Sequence, residues 1–576
     1  MRIVLRDLAT CRWLEFSEPV AVLAAREHAD VMETLRNIES RVDEDNLWAA
    51  GFIAYEAAAG FDQACVTQES TGLPLLSFGL FRRAEELPEP ELSTEPSGNS
   101  ADWQLDTAQH TYMRNVERIR EQIALGNTYQ VNYTMRGQTR AIHNPWQLFL
   151  DIARDAPLAA YLETDEYAIV SASPELFFRL DGSALTSRPM KGTAVRGLDA
   201  SDDARRHRDL LNSVKDRAEN VMIADMLRND MGRVADPGTV VAESLFDIEK
   251  YSTVWQATST VSAATGKPVS EILAALFPCA SITGAPKIAS MELIAKLERS
   301  PRGIYTGTIG YIAPGRKAQF NVAIRTAHVD RRSGDAEYGV GGGIVWDSRP
   351  ALEYAECLAK GRILRQRQAP ADFQLLETML WTRESGYFLL DGHLSRLSAS
   401  AEYFDFDFDK EHIIEELQKL AMTLHNEHHR VRLLMDKTGE TILTETALCL
   451  PTQSAAFRVC LAKRHVDTDN VFLYHKTTQR AAYENALEGV DDCDDVLLWN
   501  REGYLTESTV ANVAVRLHER LYTPPIRCGL LPGVLRASLL ESGELHERPI
   551  RLSELADAQE IILLNSVRKQ YPARLV

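Results

Sequence analysis

A polar, basic stretch from Arg362 to Ala371 divides this chain into two halves that are patterned separately. It holds three arginines, two glutamines and a proline, and it cannot contribute to an apolar core. A new β pattern begins right after it at Phe373-Gln-Leu-Leu-Glu. At 576 residues the chain is already too long for one ordinary core. The break therefore predicts two independently packed halves. We expect residues 1–85 to open the first domain, 86–108 to be a Pro/Glu/Ser-rich loop, and 109–365 to form its catalytic part. Residues 366–372 are then the linker, and 373–576 the second domain.

Composition narrows the function classes. Apolar residues make up 45% and charged residues 25%, as in soluble globular enzymes. A formal charge of -19 excludes a general nucleic-acid binder, which needs a basic face. A small anion would have to be held by a few local Arg and Lys side chains. No apolar run reaches the ~18 residues of a membrane span, and Met1-Arg-Ile-Val-Leu-Arg-Asp lacks an apolar leader core. The expectation is a cytoplasmic protein without membrane or nucleic-acid partners. The eight cysteines form no Cys-x-x-Cys pair and are expected to be reduced.

In the first half one segment concentrates reactive chemistry: Ser187-Arg-Pro-Met-Lys-Gly-Thr-Ala-Val-Arg-Gly197. Pro189 stiffens the approach to Lys191, and Gly192 lets the backbone pass close to a ligand. An amine near other cations such as Arg188 and Arg196, or partly desolvated, has a lowered pKa and acts as a nucleophile. Alone, the segment also fits a surface turn with scattered positive charge.

Elsewhere, Tyr129 to Met135 reads as a strand, and Tyr167 to Arg179 as another interrupted at Pro174, with Glu175 just beyond the break. A helix is expected from Thr111 to Ala124, stopped by Gly126. Another is expected over 205–228, with Leu211, Val214, Ala218, Val221 and Met222 as its apolar stripe. A third, 350–364, carries Glu353, Glu356 and Lys360 on one face and Leu352, Ala355 and Ala359 on another. Asp216 and Glu219 on one helix and Glu353 and Glu356 on the other could converge on a hard cation. Acidic pairs of this kind also occur simply as wet helix faces. Thr283 with Gly284, and the glycines 341–343, could offer backbone N–H groups to a carboxylate, and Arg325 could clamp a second one. No nucleotide-binding glycine signature is present.

Several long blocks of the first half resemble the chorismate-utilising enzyme family. They are Ser173-Pro-Glu-Leu-Phe, Arg188-Pro-Met-Lys-Gly-Thr, Asp216-Arg-Ala-Glu-Asn, Ser281-Ile-Thr-Gly-Ala-Pro-Lys, Ala323-Ile-Arg-Thr-Ala and Gly341-Gly-Gly-Ile-Val-Trp-Asp-Ser with Glu353 and Glu356 following. The resemblance covers roughly residues 110–365. It implies a β-sheet sandwich with outer helices and a cleft for chorismate and Mg2+. Glu219 and Glu356 would be metal ligands with Asp216 and Glu353 behind them. Arg325 and Tyr305 would meet a carboxylate, and Gly341 and Gly343 would supply amides. In that family a lysine at the Lys191 position marks amination at C4, whereas anthranilate producers carry a small residue. Glu175 is then the general acid. Gln256 stands where anthranilate producers have a histidine linked to aromatisation.

From Phe373 onward the chain resembles the fold-type IV pyridoxal-phosphate family, a two-subdomain α/β fold. The segments are Tyr474-His-Lys-Thr-Thr-Gln-Arg, Leu505-Thr-Glu-Ser-Thr-Val-Ala-Asn-Val, Gly529-Leu-Leu-Pro-Gly-Val-Leu-Arg and Leu564-Asn-Ser-Val-Arg. The resemblance implies Lys476 as the residue bonded to pyridoxal 5'-phosphate, Glu507 at the pyridine nitrogen, and Arg396 with the amides of Val534 and Leu535 at the phosphate. Asn565 would lie on the substrate side. Aminotransferases of this type carry a tyrosine five residues after the lysine; here that residue is Ala481, and Tyr483 is the candidate replacement.

Together the halves imply an enzyme that makes 4-aminobenzoate, a folate precursor, from chorismate. No Gly-x-Cys-x-Gly glutaminase turn is present, so ammonia is expected from a separate glutamine amidotransferase. The resemblance also implies a homodimer through the second half. The alternative is an anthranilate- or isochorismate-type synthase joined to a branched-chain or D-amino-acid aminotransferase-like domain.

Overall fold

The computed structural model describes residues 1–70, 72–88, 103–140, 142–153, 156–251, 254–361, 373–448, 456–490 and 492–576. Most of the expected 86–108 loop, the 366–372 linker and Cys449 lie outside the described residues. The ends of that loop that are described form short strands, Glu85–Leu87 and Gln104–Leu105. The chain divides into two compact units. One contains Met1–Val195 and Arg208–Ala369, the other Arg196–His207 and Pro370–Val576.

The first unit is built on two ten-stranded antiparallel sheets. Through the middle of the first run Gln130–Thr139, Ala336–Ile344, Thr326–Asp330 and Tyr167–Ser171; through the second run Val254–Ala264, Ala184–Arg188, Leu176–Asp181 and Lys317–Val322. Ile3, Leu5 and Phe16 of one sheet meet Phe52 and Ile309 of the other to form the inner core. The outer faces are covered by helices. Tyr112, Val116 and Phe149 pack on the first sheet, and Leu35, Ile38 and Ile272 on the second. This is the layered solution expected when each sheet has two apolar faces to hide.

The interruption at Pro174 has a structural purpose. Tyr167–Ser171 belongs to the first sheet and Leu176–Asp181 to the second, so residues 172–175 carry the chain across. A second crossing, residues 323–325, links Lys317–Val322 to Thr326–Asp330. The crossings are joined: Ala172 N–H donates to Arg325 O at 2.9 Å and Val322 N–H to Glu175 O at 3.0 Å. Glu175 and Arg325 thus lie on the two joined crossings at the seam of the sandwich.

Two helices differ from expectation. The 205–228 segment is divided between Ala200–Leu211 and Val214–Gly232, because Ser213 leaves the helical path and its side chain caps the second helix by accepting from Asp216 N–H at 3.2 Å. The expected apolar stripe faces the wrong way. Val214 is 82% exposed, while Asn220, Ile223, Ala224, Leu227 and Met231 face inward. The helix Pro350–Gly361 is inverted in the same sense, with Leu352 exposed and Glu353 and Cys357 buried. In both cases polar groups are drawn inward, which an apolar-stripe argument cannot anticipate.

The second unit pairs a four-stranded antiparallel sheet centred on Leu375–Thr382 and His428–Met435 with an eight-stranded mixed sheet. In the mixed sheet Phe457–Leu461 runs parallel to both Asp495–Trp499 and Lys569–Leu575. These strands bring Cys460 and Cys493, 33 residues apart, to a Cα–Cα separation of 6.1 Å as a disulfide. This corrects the expectation of reduced thiols throughout; the pairing comes from strand neighbours distant in sequence. Among the described residues no helix is long and apolar enough to cross a membrane.

Beneath the first sheet Glu298 is enclosed by two guanidinium groups. Arg302 donates to both its oxygens, at 2.7 and 3.0 Å, and Arg136 donates at 3.2 Å. All three are almost fully buried. Removing the acid strands two cations out of water, so Glu298→Ala should cost about 3–5 kcal/mol of stability. Urea unfolding of the variant checks this; a loss below ~1 kcal/mol would show the cluster to be dispensable.

Candidate active sites

Lys191 stands on a strand that is deliberately irregular. Met190–Val195 pairs with Val254–Ala264, but the register shifts between Met190 and Thr193, so Lys191 and Gly192 bulge from the ladder. Gly192 has a φ of 96°, and a Cβ there would lie 3.1 Å from Asp216 Cβ and 3.2 Å from Ala257 Cβ. Gln256 braces the bulge: its Nε2 donates to Gly192 O at 2.8 Å and its Oε1 accepts from Thr193 Oγ1 at 2.8 Å. Burial pushes the Lys191 amine below the ordinary lysine pKa against the pull of Glu219 and Glu175, and Lys360 adds to the lowering. The expected contribution of Arg188 and Arg196 is not what the structure provides. Arg188 is paired with Glu249 and Arg196 with Asp203.

Opposite the amine lies Gly343. A Cβ on it would stand 3.3 Å from Lys191 Nζ and 2.6 Å from Gln130 Nε2. Gln130 is fully buried, and neither polar atom of its side chain has a partner. An orphaned amide next to a desolvated amine is a group waiting for a ligand. Sequence reasoning missed it; Gln130 follows Tyr129 in the expected strand and nothing local marks it.

Glu175 is 2% exposed and accepts a 2.6 Å hydrogen bond from Ser281 Oγ. Burial raises its carboxyl to about 7, against the effects of Ser281 and Lys191. It therefore holds a proton near neutrality, as a general acid must.

The four candidate metal carboxylates share the cleft. Glu353 Oε2 and Glu356 Oε1 lie 3.6 and 3.9 Å from the Cβ position of Gly342. Glu219 Oε1 is buried without a hydrogen-bond partner, with Lys215 Nζ 3.7 Å away. Burial raises Glu219 and Glu353. Glu356 instead is held ionised by Lys360 at 2.8 Å, which also donates to Gly341 O at 2.9 Å. Asp216 bonds the Ser213 hydroxyl at the helix start. Among the described residues no three such side chains close into a complete metal site. The donors fit a hard dication that takes one or two carboxylates and completes its shell with substrate oxygen and water.

Of the expected carboxylate contacts, Arg325 is the best placed. Its backbone is left-handed, with φ 51°, and burial pushes its guanidinium below the ordinary arginine value against the pull of Tyr338 and Tyr251. The Tyr305 ring lies flat on Gly339, where a Cβ would be 2.1 Å from the ring. Gly341 and Gly343 pair with Thr134 and Asn132 across one edge only, since Thr326–Asp330 stops pairing at Tyr338. Thr283 donates its N–H to Ala280 O at 3.4 Å and its hydroxyl to Cys279 O at 3.1 Å, and Gly284 lies opposite Val131 in the neighbouring strand.

In the second unit Lys476 is fixed through its carbonyl, which accepts from Leu376 N–H at 2.9 Å. Burial lowers its amine to about 8, helped by Arg396. Burial raises Glu507 to about 8. Arg396 is pinned by Glu377, with Nε and Nη2 donating at 2.8 and 2.6 Å, while Nη1 reaches Pro532 O. Burial would raise Glu377, yet Arg396 and His393 hold it near 2. Glu377 went unassigned in the sequence, although it lies in the first strand of this half.

Val534 and Leu535 open the helix Val534–Glu541, so their N–H groups have no intrahelical acceptor and suit a phosphate. Asn565 is used locally. Its Oδ1 accepts from Val567 and Arg568 N–H, closing a hairpin turn. The hydroxyl of Tyr483, the candidate replacement for the aminotransferase tyrosine, donates to Glu507 at 2.8 Å.

The sequence was compared with known proteins. Residues 2–366 match the family described as chorismate binding enzyme, and residues 374–576 that described as amino-transferase class IV. Aminodeoxychorismate synthase component 1 of Escherichia coli is 39% identical over 272 residues, 46% of this chain and 60% of that protein. Anthranilate synthase component 1 of Thermus thermophilus is 38% identical over 281 residues, 48% of this chain and 60% of that one. The chain thus spans less than two thirds of either relative. Among solved structures, a putative 2,3-dihydroxybenzoate-specific isochorismate synthase from Bacillus anthracis superposes with a TM-score of 0.53 at 18% identity, covering 63% of this chain and 94% of that one. That likeness shows the sandwich fold.

Because burial holds Lys476 near 8, its neutral, nucleophilic form should dominate above that pH. Capture of pyridoxal phosphate by the cofactor-free chain, trapped with borohydride, should rise through a midpoint near 8. A midpoint at the ordinary lysine value, about 10.4, would show the amine to be solvated.

Proposed function

This chain belongs to the chorismate binding enzyme family, and from that premise we propose that it aminates chorismate at C4 and then eliminates pyruvate to give 4-aminobenzoate. The observation that carries the first step is the Lys191 amine, withdrawn from water on its bulge with Glu175, whose carboxyl burial raises to about 7, in the same cleft. An anthranilate producer has no need of a nucleophilic lysine.

In the first step the neutral Lys191 nitrogen adds at C2 of the ring. The ring double bonds shift, the C4–O bond breaks, and Glu175 supplies the proton with which the hydroxyl leaves as water. Lys191 gives up its surplus proton. Ammonia then attacks C4, the double bonds shift back, and the C2–N bond to Lys191 breaks as the lysine regains a proton. The net change is one hydroxyl replaced by one amino group. Arg325 and Tyr305 orient a carboxylate of the substrate, and Gln130 offers its unpaired amide beside the reacting nitrogen. Mg2+ held by Glu219 and Glu356, with Asp216 and Glu353 behind them, would bind the ring carboxylate and draw off the charge that develops as the hydroxyl departs. Ammonia comes from a separate glutamine amidotransferase.

The match of residues 374–576 to the class IV family supports a pyridoxal-phosphate lyase for the second step. The cofactor supplies an electron sink for the carbon that loses its proton. Lys476 would anchor it and move that ring proton, Arg396 and the Val534 and Leu535 amides would hold its phosphate, and Glu507 would meet its ring nitrogen. The aromatic product forms as the C3–O bond breaks and enolpyruvate leaves, to be protonated to pyruvate. A homodimer through this half accords with the family resemblance.

The purified chain given chorismate, Mg2+ and ammonium salt should form 4-aminobenzoate and pyruvate in equal amounts by mass spectrometry. Anthranilate as the product would overturn the assignment in favour of a C2-aminating enzyme. Lys191→Ala should abolish formation of the intermediate yet still cleave supplied intermediate. Lys476→Ala should accumulate the intermediate, and a variant that still releases pyruvate would remove Lys476 from the chemistry.

A further inference from the structure

Glu507 is held by three donors. Tyr483 hydroxyl and Leu531 N–H reach Oε1 at 2.8 and 3.2 Å, and Asn512 Nδ2 reaches Oε2 at 3.0 Å. Asn512 also donates to Leu531 O at 2.9 Å, so it and Leu531 form one local brace. Gly533 makes room for that brace, since a Cβ there would lie 1.8 Å from Asn512 Oδ1. Tyr483 comes from elsewhere. It lies on the helix Ala481–Leu487, in the segment that begins at Lys476, and its buried ring is covered by the Arg480 guanidinium at 4.5 Å.

Resting on the reading of this half as a pyridoxal-phosphate enzyme, we propose that Tyr483 is a positioning residue that keeps the proton shared between Glu507 and the cofactor on the ring nitrogen rather than on the carboxylate. The physical reason is a competition of basicities. Out of water a carboxylate becomes a strong base, and burial alone would carry Glu507 well up. A pyridine nitrogen facing so basic a group would lose its proton to it, and the ring would cease to draw electrons. Each hydrogen bond to the ionised carboxylate stabilises the charged form and makes it a weaker base. The Tyr483 bond opposes the burial directly, while Oε2, with a single donor, keeps a lone pair for the ring nitrogen. The same tyrosine ties that carboxylate to the chain segment bearing Lys476.

The test uses the full-length chain loaded with cofactor labelled with 15N at the ring nitrogen, as wild type and as Tyr483→Phe. Phenylalanine keeps the ring, its burial and its contact with Arg480. The wild-type 15N signal should fall in the pyridinium range near neutral pH. In Tyr483→Phe it should move toward neutral pyridine, and pyruvate release should fall by about tenfold or more. An unchanged pyridinium signal in the variant would overturn the proposal. Failure of the variant alone to bind cofactor would also overturn it, because a proton-placing role leaves the phosphate and lysine contacts intact. If the wild type itself takes up no cofactor, the reading of the whole second half fails, which is a separate result visible before any variant is made.

Discussion

Two primary amines kept away from water are the constraint around which this chain is organised. An ammonium loses its hydration on burial and its pKa falls, which raises the share of the neutral, nucleophilic amine. Lys191 and Lys476 are both displaced in this direction, and in both cases burial is the largest cause. Carboxylates in the same enclosures shift the opposite way, Glu175 to about 7 and Glu507 to about 8. Each unit therefore sets a buried amine near a buried carboxyl. In the first, Glu175 can supply the proton that a covalent step requires. In the second, the Tyr483, Leu531 and Asn512 donors favour the ionised form of Glu507.

Much of the first unit serves to keep this arrangement in place. The sandwich needs the chain to pass from one sheet to the other, and two adjacent passages deliver Glu175 and Arg325. The lysine itself rides on a bulge secured by Gln256 and by a left-handed glycine. Gln256 thus has two roles that are compatible. It stands where anthranilate producers have a histidine in the resemblance, and here it fastens the backbone beside the nucleophile. The buried Arg136–Glu298–Arg302 cluster lies underneath, with the Arg136 guanidinium 5.3 Å from the Tyr305 ring. A costly internal charge cluster is thereby connected to one wall of the cleft.

The sequence was most legible where punctuation is chemical. Pro174 and Gly126 mark real changes of element. Pro189 and Gly192 single out the segment of Lys191, whereas its role as a nucleophile comes only with the resemblance. Helix faces were the least legible. Val214–Gly232 buries Asn220 beside Ile223, Ala224, Leu227 and Met231 while Val214 and Val221 face solvent, and Pro350–Gly361 buries Glu353 while Leu352 faces solvent, so the expected stripes lay on the wrong faces. Partners far apart in sequence were also invisible. Glu249 on Arg188, Glu377 on Arg396 and Cys493 on Cys460 have no local signature. Gln130 and Tyr483 belong to the same class, since only the fold shows that one amide is orphaned and that one hydroxyl meets Glu507.

The central claim is that Lys191 bonds covalently to the ring. Its most direct test is intact-protein mass of the chain incubated with chorismate in the absence of ammonia, followed by peptide mapping. The account predicts a mass increase equal to chorismate less one water, located on Lys191 and absent from Lys191→Ala. Product formation on ammonia addition without any adduct at Lys191, or an equal adduct in the alanine variant, would contradict it.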